Sequence, residues 1–325
     1  LVAVEECFNQ QNLRNPCYFH TGGNMLTSST AQNGVLRLTS QQRQRFDEDG
    51  FFLVEDALTS AEVAELVAVT DEFYADAKRT RSLGPYDAFQ WRNVVALHPR
   101  FRQLIDHPRI LPLVVDLIGY NIQIRTSHLD VRPPMEPVTV QQALGSRDSF
   151  FPWHSDAPNF GWPTVEGVIP YMEMKVGLYL TDLTQHNSGA ICVVRGSHLR
   201  AQKDTEGNYM IDAADVVEVN VRPGTALFWR TSLLHCVTPN LSDHARKCLY
   251  YGYHHRWIRP SDYDHQDPFV LEDCNPVQRQ LLGELGSGSQ EYNGDAPRIH
   301  PVSRYWRPTD EDIPLKAWAT AQQAV

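Results

Sequence analysis

Ile122-Gln123-Ile124-Arg125-Thr126-Ser127-His128-Leu129-Asp130-Val131 is where the hydrophobic period of this 325-residue chain changes to two. Alternation of this kind lays residues i and i+2 on one face of an extended strand. The same pattern returns at 173–180, 190–194, 216–221, 225–229 and 246–254, with turn residues between the segments. Many short strands punctuated by Gly and Pro predict a sandwich or barrel.

Upstream of residue 122 the signals are helical. Thr39 with Gln42, and Thr59 with Glu62, have the spacing of capping boxes. The first helix is stopped by Asp49-Gly50, and 51–54 reads as a strand. The second is amphipathic, with Val63, Leu66, Val67, Thr70 and Phe73 or Tyr74 on one face. A third, buried helix is expected within 108–118, ended by Gly119, with Pro112 tolerated only in its first turn. Residues 1–35 read as a polar arm. Residues 36–260 read as one domain whose β core begins near 122. Residues 261–325 read as an irregular arm packed on that core, with a short helix near 310–324.

With 42% hydrophobic and 21% charged residues, the composition is that of a globular protein able to bury a sizeable core. The net charge of -10, without a long basic block, argues against a nucleic-acid partner. No uncharged apolar run approaches the roughly 18 residues of a membrane span. The first residues lack the basic and apolar regions of a signal peptide. The six cysteines are scattered without a CxxC pair. They read as free thiols in a reducing, cytoplasmic setting, and a Cys-based zinc site is not expected.

His-x-Asp occurs three times, at His128/Asp130, His154/Asp156 and His265/Asp267. Two His and one carboxylate on one face suit non-heme Fe(II) and leave positions open for reaction. A His and an Asp two apart on an extended segment point the same way, so the third ligand must come from a distant strand. After His265 only His300 remains, in turn-rich sequence. His128 sits inside a continuous strand, whereas ligands favour strand ends. That leaves His154 and Asp156, with His235 at the end of a later strand stretch. Arg246 stands eleven residues past His235, at the start of the next strand, where its planar fork can anchor a co-substrate carboxylate.

Several segments then resemble the phytanoyl-CoA dioxygenase family of Fe(II)- and 2-oxoglutarate-dependent oxygenases. They are Leu38 to Phe51, Ala57 to Glu62, Asn187 to the Gly196-Ser197-His198 turn, and Pro223-Gly224-Thr225. The resemblance covers roughly residues 38 to 257. It implies a mainly β protein with flanking helices and a double-stranded β-helix (jelly-roll, cupin-like) core. It implies Fe(II) held by His154, Asp156 and His235, 2-oxoglutarate held by Arg246, and O2 as co-substrate. The implied reaction is hydroxylation of a C–H bond of a small molecule, with release of succinate and CO2. Desaturation, epimerisation, ring formation and a non-catalytic binding module are the alternatives. Val237 stands two after His235, where family members often carry a small hydroxylic residue, and Thr238 follows.

Other residues keep two readings. His128 either packs in the core or contacts 2-oxoglutarate. Trp153, Phe160, Trp162 and Trp229 either wall a substrate pocket or pack as ordinary core and rim. The irregular stretches 133–152 and 260–325 are expected to form the lid that selects substrate.

Overall fold

The computed structural model describes residues 31–32, 35–145, 151–157, 164–284, 310 and 313–323. Both capping boxes form: Thr39 opens α1 (Ser40–Glu48) and Thr59 opens α2 (Ser60–Thr80). In α2 the fully buried stripe is Leu66, Thr70, Tyr74 and Ala77; Val63, Val67 and Phe73 pack at its margin. Helix α3 (Leu111–Ile118) carries Pro112 in its first turn and ends at Gly119, whose φ of 87° suits a residue without a side chain.

Besides the two-residue pair Ala31–Gln32 with Val35–Leu36, ten strands among the described residues make two antiparallel sheets. In chain order they are β1 (Phe51–Val54), β2 (Phe89–Arg92), β3 (Ile122–Arg132), β4 (Phe151–His154), β5 (Glu173–Tyr179), β6 (Ile191–Val194), β7 (Val216–Glu218), β8 (Ala226–Arg230), β9 (His235–Val237) and β10 (Arg246–His255). The major sheet has the order β1-β8-β5-β10-β3-β2, and the minor sheet β4-β9-β6-β7. This is the jelly-roll core with flanking helices.

Period two decides what each face meets. Val176, Leu178, Phe228, Leu129, Leu249 and Tyr251 point outward into a core shared with the helices. Their neighbours Tyr179, Leu227, Trp229, Cys248 and Tyr250 point inward, against Ile191, Val193 and Val217 of the minor sheet. A bulge between Gly252 and Tyr253 sets two β3 residues against one on β10. It brings Arg125 round to Glu173, with Nε 2.6 Å from the carboxylate.

Strands β2, β4 and β9 were not expected; at three or four residues each, they are too short for alternation to register. The C-terminal segment is more regular than its composition suggests. It holds two short helices, Pro268–Glu272 and Pro276–Leu281, each with Pro in the first turn, and a third, Pro314–Gln323. Gln280 donates to the Tyr120 and Ile122 carbonyls and so ties this segment to β3. Among the described residues no helix is long and apolar enough to cross a membrane.

Gly177 lies on the inner face of β5, in register with Tyr250. A Cβ there would lie 2.9 Å from Tyr250 Cε1 and 3.3 Å from Trp229 Cζ3. Both rings are buried, so neither can step aside without moving the inner face. Gly177→Ala is therefore expected to cost about 1–3 kcal/mol of stability, read from urea unfolding. An unchanged midpoint would contradict this packing.

Candidate metal centre

The centre is built at the end of the minor sheet. His154, the last residue of β4, is paired in register with His235, the first residue of β9. Their ring centroids are 4.2 Å apart. Beyond β4 the chain turns onto the β8–β9 connection, where the Asp156 and Ala157 amides both donate to the Thr231 carbonyl. This turn brings the Asp156 carboxylate to 3.7 Å from His235 Nε2. One ligand atom from each of His154, Asp156 and His235 lies within 4.8 Å of the others.

The protonation pattern follows from the neighbours. His154 Nδ1 lies 2.8 Å from the Pro152 carbonyl, and His235 Nδ1 lies 2.8 Å from the Leu233 carbonyl. A carbonyl only accepts, so each Nδ1 carries the proton and each Nε2 presents its lone pair. Burial, helped by the neighbouring His154, pushes the His235 pKa down to about 4, which keeps it neutral. Burial alone would raise the Asp156 pKa, but Lys175 and then His235 hold it far below the usual carboxylate range. Two imidazole nitrogens and one carboxylate form a donor set suited to a divalent first-row metal.

Behind His235 the Gly196-Ser197-His198 turn acts as a brace. Ser197 Oγ accepts from the Leu234 amide at 2.9 Å, and His198 Nε2 donates to the Asp47 carbonyl at 3.0 Å. The turn therefore fixes the residue before His235 and ties it to α1.

From His235 a line of side chains runs along the inner face of the major sheet. Trp229 stands edge-on, 6.3 Å from His235 and 5.7 Å from Tyr250 between ring centroids. Arg246 donates through Nη2 to the Tyr250 hydroxyl and through Nη1 to Asp130 at 2.9 Å. It is 1% exposed. Two buried donors along this line, Arg246 Nε and Trp229 Nε1, have no hydrogen-bond partner among the described residues. Such donors are costly unless something accepts from them, and a carboxylate would. Thr238 does not supply a further contact, because its hydroxyl donates to the Ala190 carbonyl. His128 packs against Tyr250, with ring centroids 4.9 Å apart.

Of the four aromatics expected near the pocket, Trp229 is at the centre. Trp153 packs with Cys192, Val194 and Cys236 on the outer face of the minor sheet, the second of its two readings. The reason is strand alternation, since its neighbour His154 points inward. Phe160 and Trp162 lie outside the described residues.

The motifs give no hint of Lys175. Its Nζ is 2.8 Å from Asp156 Oδ2, and its side chain is 7% exposed. The signal was present in β5, where Glu173, Lys175, Gly177 and Tyr179 alternate with Met174, Val176 and Leu178. In a strand buried on both faces, the polar set must look into the interior.

A family model described as Phytanoyl-CoA dioxygenase (PhyH) matches residues 46–248. An ectoine dioxygenase of Bordetella parapertussis is 25% identical over 167 residues, which is 50% of this chain and 50% of that protein. The chain thus spans about half the length of the first curated relatives it matches. Among solved structures, the apoform of EctD from S. alaskensis has a TM-score of 0.56 at 20% identity, covering 77% of this chain and 88% of that one. The epimerase SnoN in complex with Fe3+, alpha ketoglutarate and nogalamycin RO has a TM-score of 0.51 at 19% identity, covering 77% and 91%. These structural likenesses carry the fold.

Removing one partner of a buried ion pair leaves the other charge uncompensated. Lys175→Met is therefore expected to destabilise the metal-free protein by about 3 kcal/mol in urea unfolding. Added Mn(II) should close much of the gap, because the ion replaces the ammonium as counter-charge to Asp156. An equal loss with and without Mn(II) would contradict the shared role.

Proposed function

The chain belongs to the phytanoyl-CoA dioxygenase family, and from that premise we propose that it is a non-heme Fe(II)- and 2-oxoglutarate-dependent dioxygenase that hydroxylates a C–H bond of a small organic molecule. The observation that carries this reading is the convergence of His154, Asp156 and His235 within 4.8 Å beside a buried arginine whose Nε has no partner among the described residues.

Fe(II) would be held by His154 Nε2, His235 Nε2 and the Asp156 carboxylate. When bound, it supplies oxygen activation coupled to conversion of 2-oxoglutarate to succinate and CO2. The chain's part is positioning. Arg246 takes the far carboxylate of 2-oxoglutarate through Nε, and its Nη2 bond to Tyr250 keeps the guanidinium in place. Trp229 stands between that anchor and the metal ligands, with Nε1 as a second donor. The inner apolar cluster of Phe51, Leu53, Leu227, Leu233 and Val193 keeps water from this end of the site. His154 and His235 are fixed in orientation by the carbonyls at Nδ1, so that Nε2 of each faces the metal position.

The test is formation of succinate from 2-oxoglutarate under air with Fe(II). Wild-type protein should turn over, His154→Ala should not, and zinc should not replace iron. Arg246→Ala should raise the half-saturating 2-oxoglutarate concentration roughly tenfold to 100-fold, the range for losing a charged hydrogen bond. Its metal affinity should stay near wild type. Turnover unaffected by His154→Ala would contradict the assignment. Once a substrate is found, a product carrying one added oxygen separates hydroxylation from desaturation, epimerisation or ring formation.

A further inference from the structure

The inner face of the major sheet carries more charge than the reaction uses. Three carboxylates there or facing it are paired with four cations: Glu173 with Arg125 at 2.6 Å, Asp156 with Lys175 at 2.8 Å, and Asp130 with Arg246 at 2.9 Å and Arg132 at 3.2 Å. Arg92 is different. It stands on β2, the edge strand, in register with His128, which is in turn opposite Tyr250 on β10. Its side chain is exposed, and its hydrogen bonds go only to neutral acceptors. Nε donates to Gln90 Oε1 at 3.1 Å, and Nη1 to Thr126 Oγ1 at 3.1 Å and His128 Nδ1 at 3.4 Å. No described carboxylate pairs with it, and the donors of Nη2 have no acceptor among the described residues.

These contacts hold the guanidinium at the inner face without a direct carboxylate partner; Asp262 stands one hydrogen bond away, accepting from Thr126 Oγ1 at 2.8 Å. Burial first, then Lys175 and Arg92, push the His128 pKa well down, so the ring stays neutral and accepts from Arg92. The sheet order places β2 three strands from β5, the strand of Lys175. At ~4.8 Å per strand this is roughly 14 Å between the two backbones, about the span of a small molecule. An Arg with spare donors, fixed by neutral groups beside an open edge, matches a carboxylate better than a neutral polar group.

We propose that Arg92 binds a carboxylate of the substrate, so that this chain selects small-molecule acids and holds them by the end remote from the reacting carbon. The proposal rests on the oxygenase reading for the metal and 2-oxoglutarate. Thr126 and His128 act as positioning residues for the guanidinium.

The test uses protein loaded with Ni(II) and 2-oxoglutarate, which binds without turning over. Straight-chain and cyclic monocarboxylic acids and their primary amides are titrated by calorimetry into wild type, Arg92→Gln and Arg92→Lys. The best acid should bind at least about tenfold more tightly than its amide in wild type, a difference of about 1.4 kcal/mol. Arg92→Gln should abolish that preference and Arg92→Lys should retain part of it. The affinity for 2-oxoglutarate itself should be the same in all three. Acid and amide bound alike, or neither bound, would overturn the proposal. So would a preference that survives Arg92→Gln, or weakened 2-oxoglutarate binding in that variant, which would make Arg92 a co-substrate anchor instead. If the wild type takes up no 2-oxoglutarate, the oxygenase reading fails, and the same acid–amide comparison on metal-free protein still judges Arg92.

Discussion

The pairing of His154 with His235 across two short strands is the constraint on which the rest of the site depends. The two residues are opposite one another in register, and strand alternation turns both rings to the same side. A slip of one residue in either strand would send an imidazole to the outer face, where Trp153 and Cys236 now pack. The register is held from both directions. Outside, the apolar cluster of Cys192, Val194, Leu234 and Cys236 fixes which side is buried. Beyond the strand ends, the Thr231 carbonyl gathers the Asp156 and Ala157 amides, and Ser197 caps the Leu234 amide. Asp156 therefore reaches the two rings as a consequence of backbone hydrogen bonds.

The major sheet plays the complementary part. Its outer face is a conventional core against helices, and its inner face is a row of buried ion pairs and hydroxyls. Such pairs contribute little net stability, because desolvation offsets their attraction. What they give here is placement. Asp156 is kept ionised by Lys175, and Arg246 is kept at one spot by Asp130 and Tyr250. The glycine at position 177 leaves the space that the Tyr250 and Trp229 rings occupy between those two points.

Much of this was legible in the residues, for reasons that can be named. The long strands β3, β5 and β10 alternate over enough residues to show period two, and the capping boxes at Thr39 and Thr59 form as written. The placing of His154, Asp156 and His235 in one cluster follows from strand geometry and chain order. The strand β9 that carries His235 is only three residues long and has no period to read. Trp153 kept two readings because its place beside His154 suggests the pocket, whereas the alternation that separates the two side chains sends it to the outer face. Lys175 lies on a strand whose charged positions look like solvent-facing ones until the two-sheet arrangement encloses them. The short C-terminal helices begin at Asp-Pro and Asn-Pro, signals of a first turn, but are too brief to show a face.

The most direct measurement is anaerobic titration of the metal-free protein with Fe(II) and 2-oxoglutarate, followed by visible absorption. A weak charge-transfer band that saturates near one equivalent of iron, and that is lost in His235→Ala, is expected if the paired histidines and Asp156 form the centre. Properly folded protein that gives no band, or a band that persists without His235, would contradict it.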